Sequence, residues 1–304
     1  MKVLIIGYGS IGKRHFEILK GFDAVSSIDV VSRQELANQA TYKNLADIEN
    51  LEIYDYFIIS SVTVKHYEQL TYICSKVNFK NILVEKPLYD RAHERFETNN
   101  KIFTAYNLRF HHILQKLKEL LSTQKVYYAN VICGQYLPSW RPEQDYKKSY
   151  SAHANQGGGV LRDLSHELDY STWLFGDVIK MESISVKVSD LEIDSDDIFT
   201  AIMVTDKKTI LNVTMDYLSK TPIRRLIIHT KERSVEADLI NNRLLSYDVN
   251  ANQSVLLDSP IVDKNHTYVN MHKAILSGDA KDVCGFEEGL KIVKLIDMIK
   301  REEL

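Results

Sequence analysis

Short apolar runs alternate with amphipathic stretches through the first third of the chain. Lys2–Ile6 is one run, and Val25–Val31, Asp55–Ser61, Asn81–Val84 and Lys101–Ala105 follow it. Each is short enough for one buried strand. Helical spacing fills the intervals over Arg14–Leu19, His66–Lys76 and Ala92–Asn99. Apolar strands alternating with amphipathic helices predict a parallel sheet covered on both faces. After a predicted helix over His112–Leu121 the texture changes. Val126–Cys133, Ile184–Val188, Phe199–Thr205, Thr209–Met215, Arg225–Thr230 and Ser234–Asp238 read as strands, several with apolar and polar residues in alternation. Few helices intervene, which predicts a mostly antiparallel sheet. One helix is expected inside this region, over Val160–Phe175 with Gly176 as its stop. Helical spacing returns from Thr267.

The expected architecture is therefore α/β: a Rossmann doubly wound parallel sheet, then a C-terminal α/β domain with a large, mostly antiparallel open sheet. The 304 residues suit two domains. The reading is 1–120 for the first domain and 121–304 for the second. The terminal helix, about 267–304, is expected to pack back towards the first domain. A net charge of −3 gives no electrostatic case for nucleic acid or an anionic membrane. No apolar run reaches membrane-spanning length. The first strand begins at once, without a basic-then-apolar leader. Cys74, Cys133 and Cys284 are scattered and odd in number, and so read as buried thiols in a reducing compartment. Together these predict a cytoplasmic protein.

The first strand runs directly into Gly7-Tyr8-Gly9-Ser10-Ile11-Gly12. Glycines at this spacing between strand and helix form the dinucleotide-binding fingerprint. Gly7 permits the tight turn, Gly9 lets backbone approach a pyrophosphate, and Gly12 lets the helix pack close. The helix start supplies N–H groups for the phosphates. At the end of the second strand an NAD site usually carries an acidic residue. Here Ser32 and Arg33 stand there, and Asp29 is expected inside the strand, facing away. A hydroxyl and a guanidinium suit a 2′-phosphate, so the cofactor reading is NADP or NAD with NADP favoured.

Glu85-Lys86-Pro87 follows another strand. That puts Lys86 at the sheet's carboxyl edge, where an ammonium can hydrogen-bond or protonate a substrate oxygen. Farther on, Gly157-Gly158-Gly159 opens the predicted helix carrying Asp163, His166 and Asp169 at three-residue intervals. On one continuous helix the three would share a face. A histidine flanked by carboxylates suits proton removal from a hydroxyl. The segment Gly134 to Arg141, with Gln135, Tyr136 and Trp140, precedes Tyr150. Aromatic faces pack on sugar C–H surfaces, and Arg141 can grip a carboxylate or phosphate. The same composition would also suit a lid or a dimer contact. His111 and His112 are adjacent and expected on different helix faces, so no metal site is read.

In order and spacing, these motifs resemble the glucose–fructose oxidoreductase/inositol dehydrogenase (Gfo/Idh/MocA) family over nearly the whole chain. The resemblance implies an NAD(P)-dependent oxidoreductase acting on CH–OH groups of sugars or nucleotide sugars, with 1–120 as its Rossmann dinucleotide-binding domain and 121–304 as its substrate-binding and oligomerisation domain, assembled as a homodimer or homotetramer through its open sheet. It implies Lys86 and His166 as catalytic residues, with Asp163 beside them. The family's aspartate commonly lies four residues before that histidine; here Arg162 holds that place and Asp163 is three before. Leu164 stands where a glycine is usual. Ser61, Val62, Thr63 and His66 fall where the family lines the dinucleotide, as does Glu85. Asn107 and Arg109 match the segment crossing towards substrate, and Asp169 joins them. The stretch from Gly134 is similar to a branch associated with bacterial surface-polysaccharide and sialic-acid-like sugars. A non-sugar reductase of biliverdin- or imine-reductase type and a non-catalytic dinucleotide sensor are the alternatives.

Overall fold

A computed structural model describes residues 1–34, 36, 41–258 and 263–301. In chain order the elements are β1 (Lys2–Ile6), α1 (Ser10–Leu19), β2 (Ser27–Val31), β3 (Thr41–Tyr42), β4 (Tyr56–Ile59), α2 (His66–Lys76), β5 (Asn81–Val84) and β6 (Lys101–Thr104). Then come α3 (His112–Leu121), β7 (Val126–Gly134), α4 (Val160–Asp163), α5 (His166–Phe175), β8 (Val178–Val186), β9 (Ile198–Thr205) and β10 (Ile210–Asp216). The strands β11 (Ile223–Thr230), β12 (Arg233–Asp238), β13 (Arg243–Asp248) and β14 (Gln253–Asp258) follow, before α6 (His266–Ser277), β15 (Cys284–Gly285) and α7 (Phe286–Arg301). The chain forms two compact units: Met1–Asn107 with Asn265–Lys294, and Leu108–Lys264 with Leu295–Leu304.

The first unit holds a sheet ordered β15-β6-β5-β4-β1-β2-β3. Its pairs are parallel except β15 with β6. The strand order reverses at β1, the switch point where doubly wound sheets bind ligands. Its strands are continuous apolar runs because both faces are covered; all four residues of β4 are buried. Leu4, Ile6, Phe57, Ile59, Ile82 and Val84 form one core with Leu70 and Ile73 of α2 and with Leu290 and Val293 of α7.

The second unit holds an eight-stranded sheet ordered β14-β13-β12-β11-β7-β10-β9-β8. β7 and β10 pair in parallel and the other neighbours antiparallel. Burial alternates along β9 and β10, so one face is packed and the other open. α5 lies against β7, and α4 against β9 and β10.

Four expectations need correction. Ala92–Asn99 is not a helix but an irregular segment. There His93 stacks on Tyr67 with 4.0 Å between ring centroids, and Phe96 packs on Phe286; these contacts outweigh a weak apolar stripe. Val160–Phe175 is not one helix, because Leu164 and Ser165 separate α4 from α5. His111 and His112 do not diverge. Their rings stack at 4.8 Å, because His111 caps α3 instead of joining it, accepting the Ile113 N–H. Finally, Cys74 is only half-buried, whereas Cys133 and Cys284 are buried. Burial pushes the Cys133 thiol up to about 12, an inert thiol at neutral pH.

Ile58 sits at the centre of the first sheet with no exposed surface. Ile58→Ala is expected to destabilise this unit by about 2–5 kcal/mol, read from the urea midpoint of unfolding.

Candidate functional site

Space around the glycines decides what the β1–α1 turn can accept. Gly7 adopts φ +97°, and a Cβ there would lie 2.7 Å from the backbone of Ser60. A Cβ on Gly12 would lie 2.2 Å from the Gly7 carbonyl oxygen. Both glycines are therefore required by contact between α1, β1 and the loop after β4. Gly9 is the opposite case: a Cβ there would meet nothing within 4 Å. The surface above it is open, and no side chain caps the start of α1 at Ser10 and Ile11. An exposed, uncapped helix start beside bare backbone fits a pyrophosphate. Tyr8 packs edge-on against Phe16 at one side of this turn.

At the end of β2, Asp29 is buried and committed elsewhere. It accepts from the Tyr54 hydroxyl at 2.7 Å and pairs with the Lys2 ammonium at 2.8 Å. Beyond it, the Ser32 hydroxyl accepts the Gln34 N–H, and Arg33 is exposed.

The loops after β4 and β5 are bound to one another. His66 is buried, with Nδ1 3.2 Å from the Pro87 carbonyl oxygen and Nε2 3.2 Å from that of Ser61. Burial pushes its imidazole below the ordinary value, leaving a neutral ring. The Ser61 hydroxyl donates to Gln69, while Val62 is exposed and Thr63 half-buried. Glu85 is buried, and its Oε2 accepts the Lys86 backbone N–H at 3.2 Å. Its Oε1 lies 2.9 Å from His15 Nε2. His15 Nδ1 lies 2.9 Å from His272 Nε2, and His272 Nδ1 lies 3.0 Å from the Tyr56 hydroxyl. His15, His272 and Tyr56 were not singled out from sequence. The only local signal was a histidine three residues after Gly12; its partner lies in α6. Asn107 belongs to the same unit, donating to the Thr267 hydroxyl at 2.6 Å.

In the second unit the break at Leu164 separates the three residues expected on one face. Asp163, buried at the end of α4, accepts the Tyr217 hydroxyl at 2.7 Å. The Tyr150 hydroxyl hydrogen-bonds the same carboxylate, and the Asp163 charge, with burial, raises that phenol's pKa. Tyr217 also went unsingled; it follows β10 directly, and Trp140 packs edge-on against it at 5.2 Å. His166 opens α5, half-buried. Asp169 is bound by Arg109, both side chains buried: Nη2 to Oδ1 is 2.7 Å and Nε to Oδ2 is 3.0 Å. Arg109 and Asp169, both expected to touch substrate, thus serve as each other's counter-ion. A shallow depression is lined by Leu137, Trp140, Arg141, Gln144, Tyr146 and Ser149. Gln135 and Tyr136 precede Leu137 in the chain, with the Lys220 ammonium over the Tyr136 ring.

Residues 1–110 match the model of an oxidoreductase family with an NAD-binding Rossmann fold, and 118–303 match the C-terminal alpha/beta domain of the same family. The chain belongs to the Gfo/Idh/MocA oxidoreductase family. An uncharacterized oxidoreductase of Synechocystis sp. is 27% identical over 194 residues, spanning 58% of this chain and about half (52%) of that protein. Solved family folds align over the whole length. A UDP-N-acetylglucosamine 3-dehydrogenase from Acidithiobacillus ferrooxidans has a TM-score of 0.79 at 16% identity, covering 100% of this chain and 97% of its own. Levoglucosan dehydrogenase in complex with NADH has 0.83 at 15%, covering 99% and 96%. A protein of gentamicin A biosynthesis in complex with NAD has 0.81 at 18%, covering 99% and 93%. Among the described residues no helix is long and apolar enough to cross a membrane. The glycine geometry of this Gfo/Idh/MocA chain suits the nicotinamide dinucleotide that its family's Rossmann fold binds.

Removing one member of a buried ion pair strands the other charge. Arg109→Met is expected to cost about 3–5 kcal/mol by urea unfolding, and the double variant Arg109→Met/Asp169→Leu to recover most of it.

Proposed function

We propose that the protein transfers a hydride, with NADP or NAD, to or from a hydroxyl or keto carbon of a sugar or nucleotide-activated sugar. The open, uncapped cradle at Gly9 carries this reading, because it supplies the N–H groups and space that a pyrophosphate needs. The sugar class is supported by the aromatic, hydroxyl and cationic side chains from Gln135 to Tyr150, and by similar folds whose names specify UDP-N-acetylglucosamine and levoglucosan. A place in surface-polysaccharide or nonulosonic-acid-type metabolism is part of the proposal.

When bound, the dinucleotide supplies or accepts the hydride. Gly7, Gly9, Gly12 and the amides of Ser10 and Ile11 hold its phosphates, flanked by Tyr8. Ser32 and Arg33 take a 2′-phosphate, and with Asp29 neutralised by Lys2 no β2 carboxylate repels it. Ser61, Val62, Thr63, His66 and Glu85 shape the remaining wall. The Lys86 ammonium hydrogen-bonds and polarises the substrate oxygen. His166 takes the hydroxyl proton during oxidation, with the Asp163 carboxylate stabilising its charged form. Gln135, Tyr136, Trp140, Arg141 and Tyr150 select the sugar.

A homodimer or homotetramer is proposed through the open face of the second sheet. Ile184, Ile202 and Ile210 lie exposed on that face. Light scattering at micromolar concentration is expected to give a multiple of the 35.0 kDa chain mass.

Turnover on a panel of UDP- and CMP-sugars, levoglucosan, a tetrapyrrole and a cyclic imine separates the substrate classes. A nucleotide sugar is expected to react. A dinucleotide that binds and stays redox-silent on every compound would reveal a sensor. Lys86→Ala is expected to lower kcat about 10²–10⁴-fold, with NADPH affinity retained by fluorescence titration. Unchanged turnover removes the assigned role. Arg33→Ala is expected to weaken NADPH about tenfold and leave NADH unaffected. Tighter binding of NADH by the unsubstituted protein overturns the NADP preference.

A further inference from the structure

With Glu85 as a carboxylate and His15 carrying a single ring proton, the file of groups Tyr56, His272, His15 and Glu85 has one satisfactory arrangement of protons. A carboxylate accepts and cannot donate, so Glu85 Oε1 takes the proton on His15 Nε2. Nδ1 of His15 then serves as an acceptor and takes the proton on His272 Nε2. His272 Nδ1, bare in turn, accepts the Tyr56 phenol proton. Every link is made once, and every proton points towards Glu85. Running the chain backwards needs a protonated Glu85 and leaves the Tyr56 O–H without its imidazole acceptor. Burial raises the Tyr56 phenol well above its ordinary range. Burial pushes His272 well below its own, so that ring is uncharged. Around the chain lie Tyr268, edge-on to His15 at 5.5 Å, Arg14, over the Tyr268 ring at 5.4 Å, Phe22, edge-on to His272 at 6.3 Å, and His66, which feels the Glu85 charge.

Tyr56, His272 and His15 have no exposed surface. Stability alone does not call for this arrangement, because apolar side chains of similar volume would avoid the desolvation of four polar groups. What the chain does is hold one carboxylate in one orientation. Glu85 uses its first oxygen for His15 and its second for the Lys86 backbone N–H. His15 lies on α1, the helix that starts in the glycine cradle. One rigid element therefore sets the cradle and the peptide of Lys86 in register. We propose that Tyr56, His272 and His15 are positioning residues, which act through Glu85 to fix the backbone that carries the Lys86 ammonium. This rests on the reading of Lys86 as the group that meets substrate.

The test uses the full chain with ¹⁵N-labelled histidine and a backbone spectrum. His15 and His272 are each expected to carry their proton on Nε2 with Nδ1 bare. The Lys86 amide resonance is expected to shift in His15→Leu and, by less, in the isosteric Tyr56→Phe. His15→Gln, whose amide N–H can still reach Glu85, should return it towards its original position. Tyr56→Phe should keep NADH affinity, which shows that the fold is intact. On a substrate from the panel, kcat should fall on the order of tenfold in His15→Leu with KM little changed, a fraction of the loss from a misplacement of about 1 Å. Protons on Nδ1, or a Lys86 amide indifferent to both Tyr56→Phe and His15→Leu, overturn the proposal. If the resonances behave as expected while Lys86→Ala leaves turnover intact, the lysine's assigned role fails and the positioning of its peptide stands.

Discussion

The closeness of α1 to the strand before it is the constraint on which the first unit depends. Gly12 has no room for one more carbon beside the Gly7 carbonyl, and Gly7 none beside Ser60. Ser60 reinforces the contact by donating to the Gly7 carbonyl at 3.0 Å. The β1–α1 turn and the start of α1 thus meet the end of β4, distant in sequence, at van der Waals distance. That packing pulls the helix start over the sheet's carboxyl edge and leaves Gly9 facing open space. The phosphate cradle is a by-product of how tightly the neighbouring backbone is packed.

Both units hold polar groups in their interiors, and each settles them differently. The first arranges two imidazoles in a file ending at a carboxylate. The second uses full charges: Arg109 against Asp169, and Arg224 against the fully buried Glu167 at 2.7 Å. Buried charge is tolerable only when paired with good geometry. Asp163, at the end of α4, accepts the Tyr217 hydroxyl and is hydrogen-bonded by that of Tyr150.

Features encoded locally were legible in the sequence. The β1–α1 fingerprint needs only the spacing of Gly7, Gly9 and Gly12, and the continuous apolar run of Tyr56–Ile59 is what a strand covered on both faces must have. Asp29 falls mid-strand by simple count. The misreadings arose where long-range contacts decide. Nothing within Ala92–Asn99 announces that His93 will stack on Tyr67. Nothing within Val160–Phe175 announces that Asp163 and Asp169 answer to partners in different elements, Tyr217 and Arg109, so that the helix breaks between them. β13 and β14 escaped notice although Asn241-Asn242 and Asn250-Ala251-Asn252 mark their turns, with Asn242 and Ala251 at positive φ. His272 was invisible as a site residue because its meaning comes entirely from His15, far away along the chain.

The first unit is discontinuous: its amino-terminal stretch is completed by Asn265–Lys294. Leu290 and Val293 belong to the core built around β1 and β4, and His272 closes the polar file beneath α1. During synthesis the ribosome delivers the nucleotide-binding strands long before these closing pieces. A nascent chain paused after β14 carries a sheet with bare apolar flank and a His15 lacking its neighbour. Folding of the amino-terminal unit thus waits on the synthesis of Asn265–Lys294, and a cut between β14 and α6 separates the two parts of that unit rather than releasing an intact module.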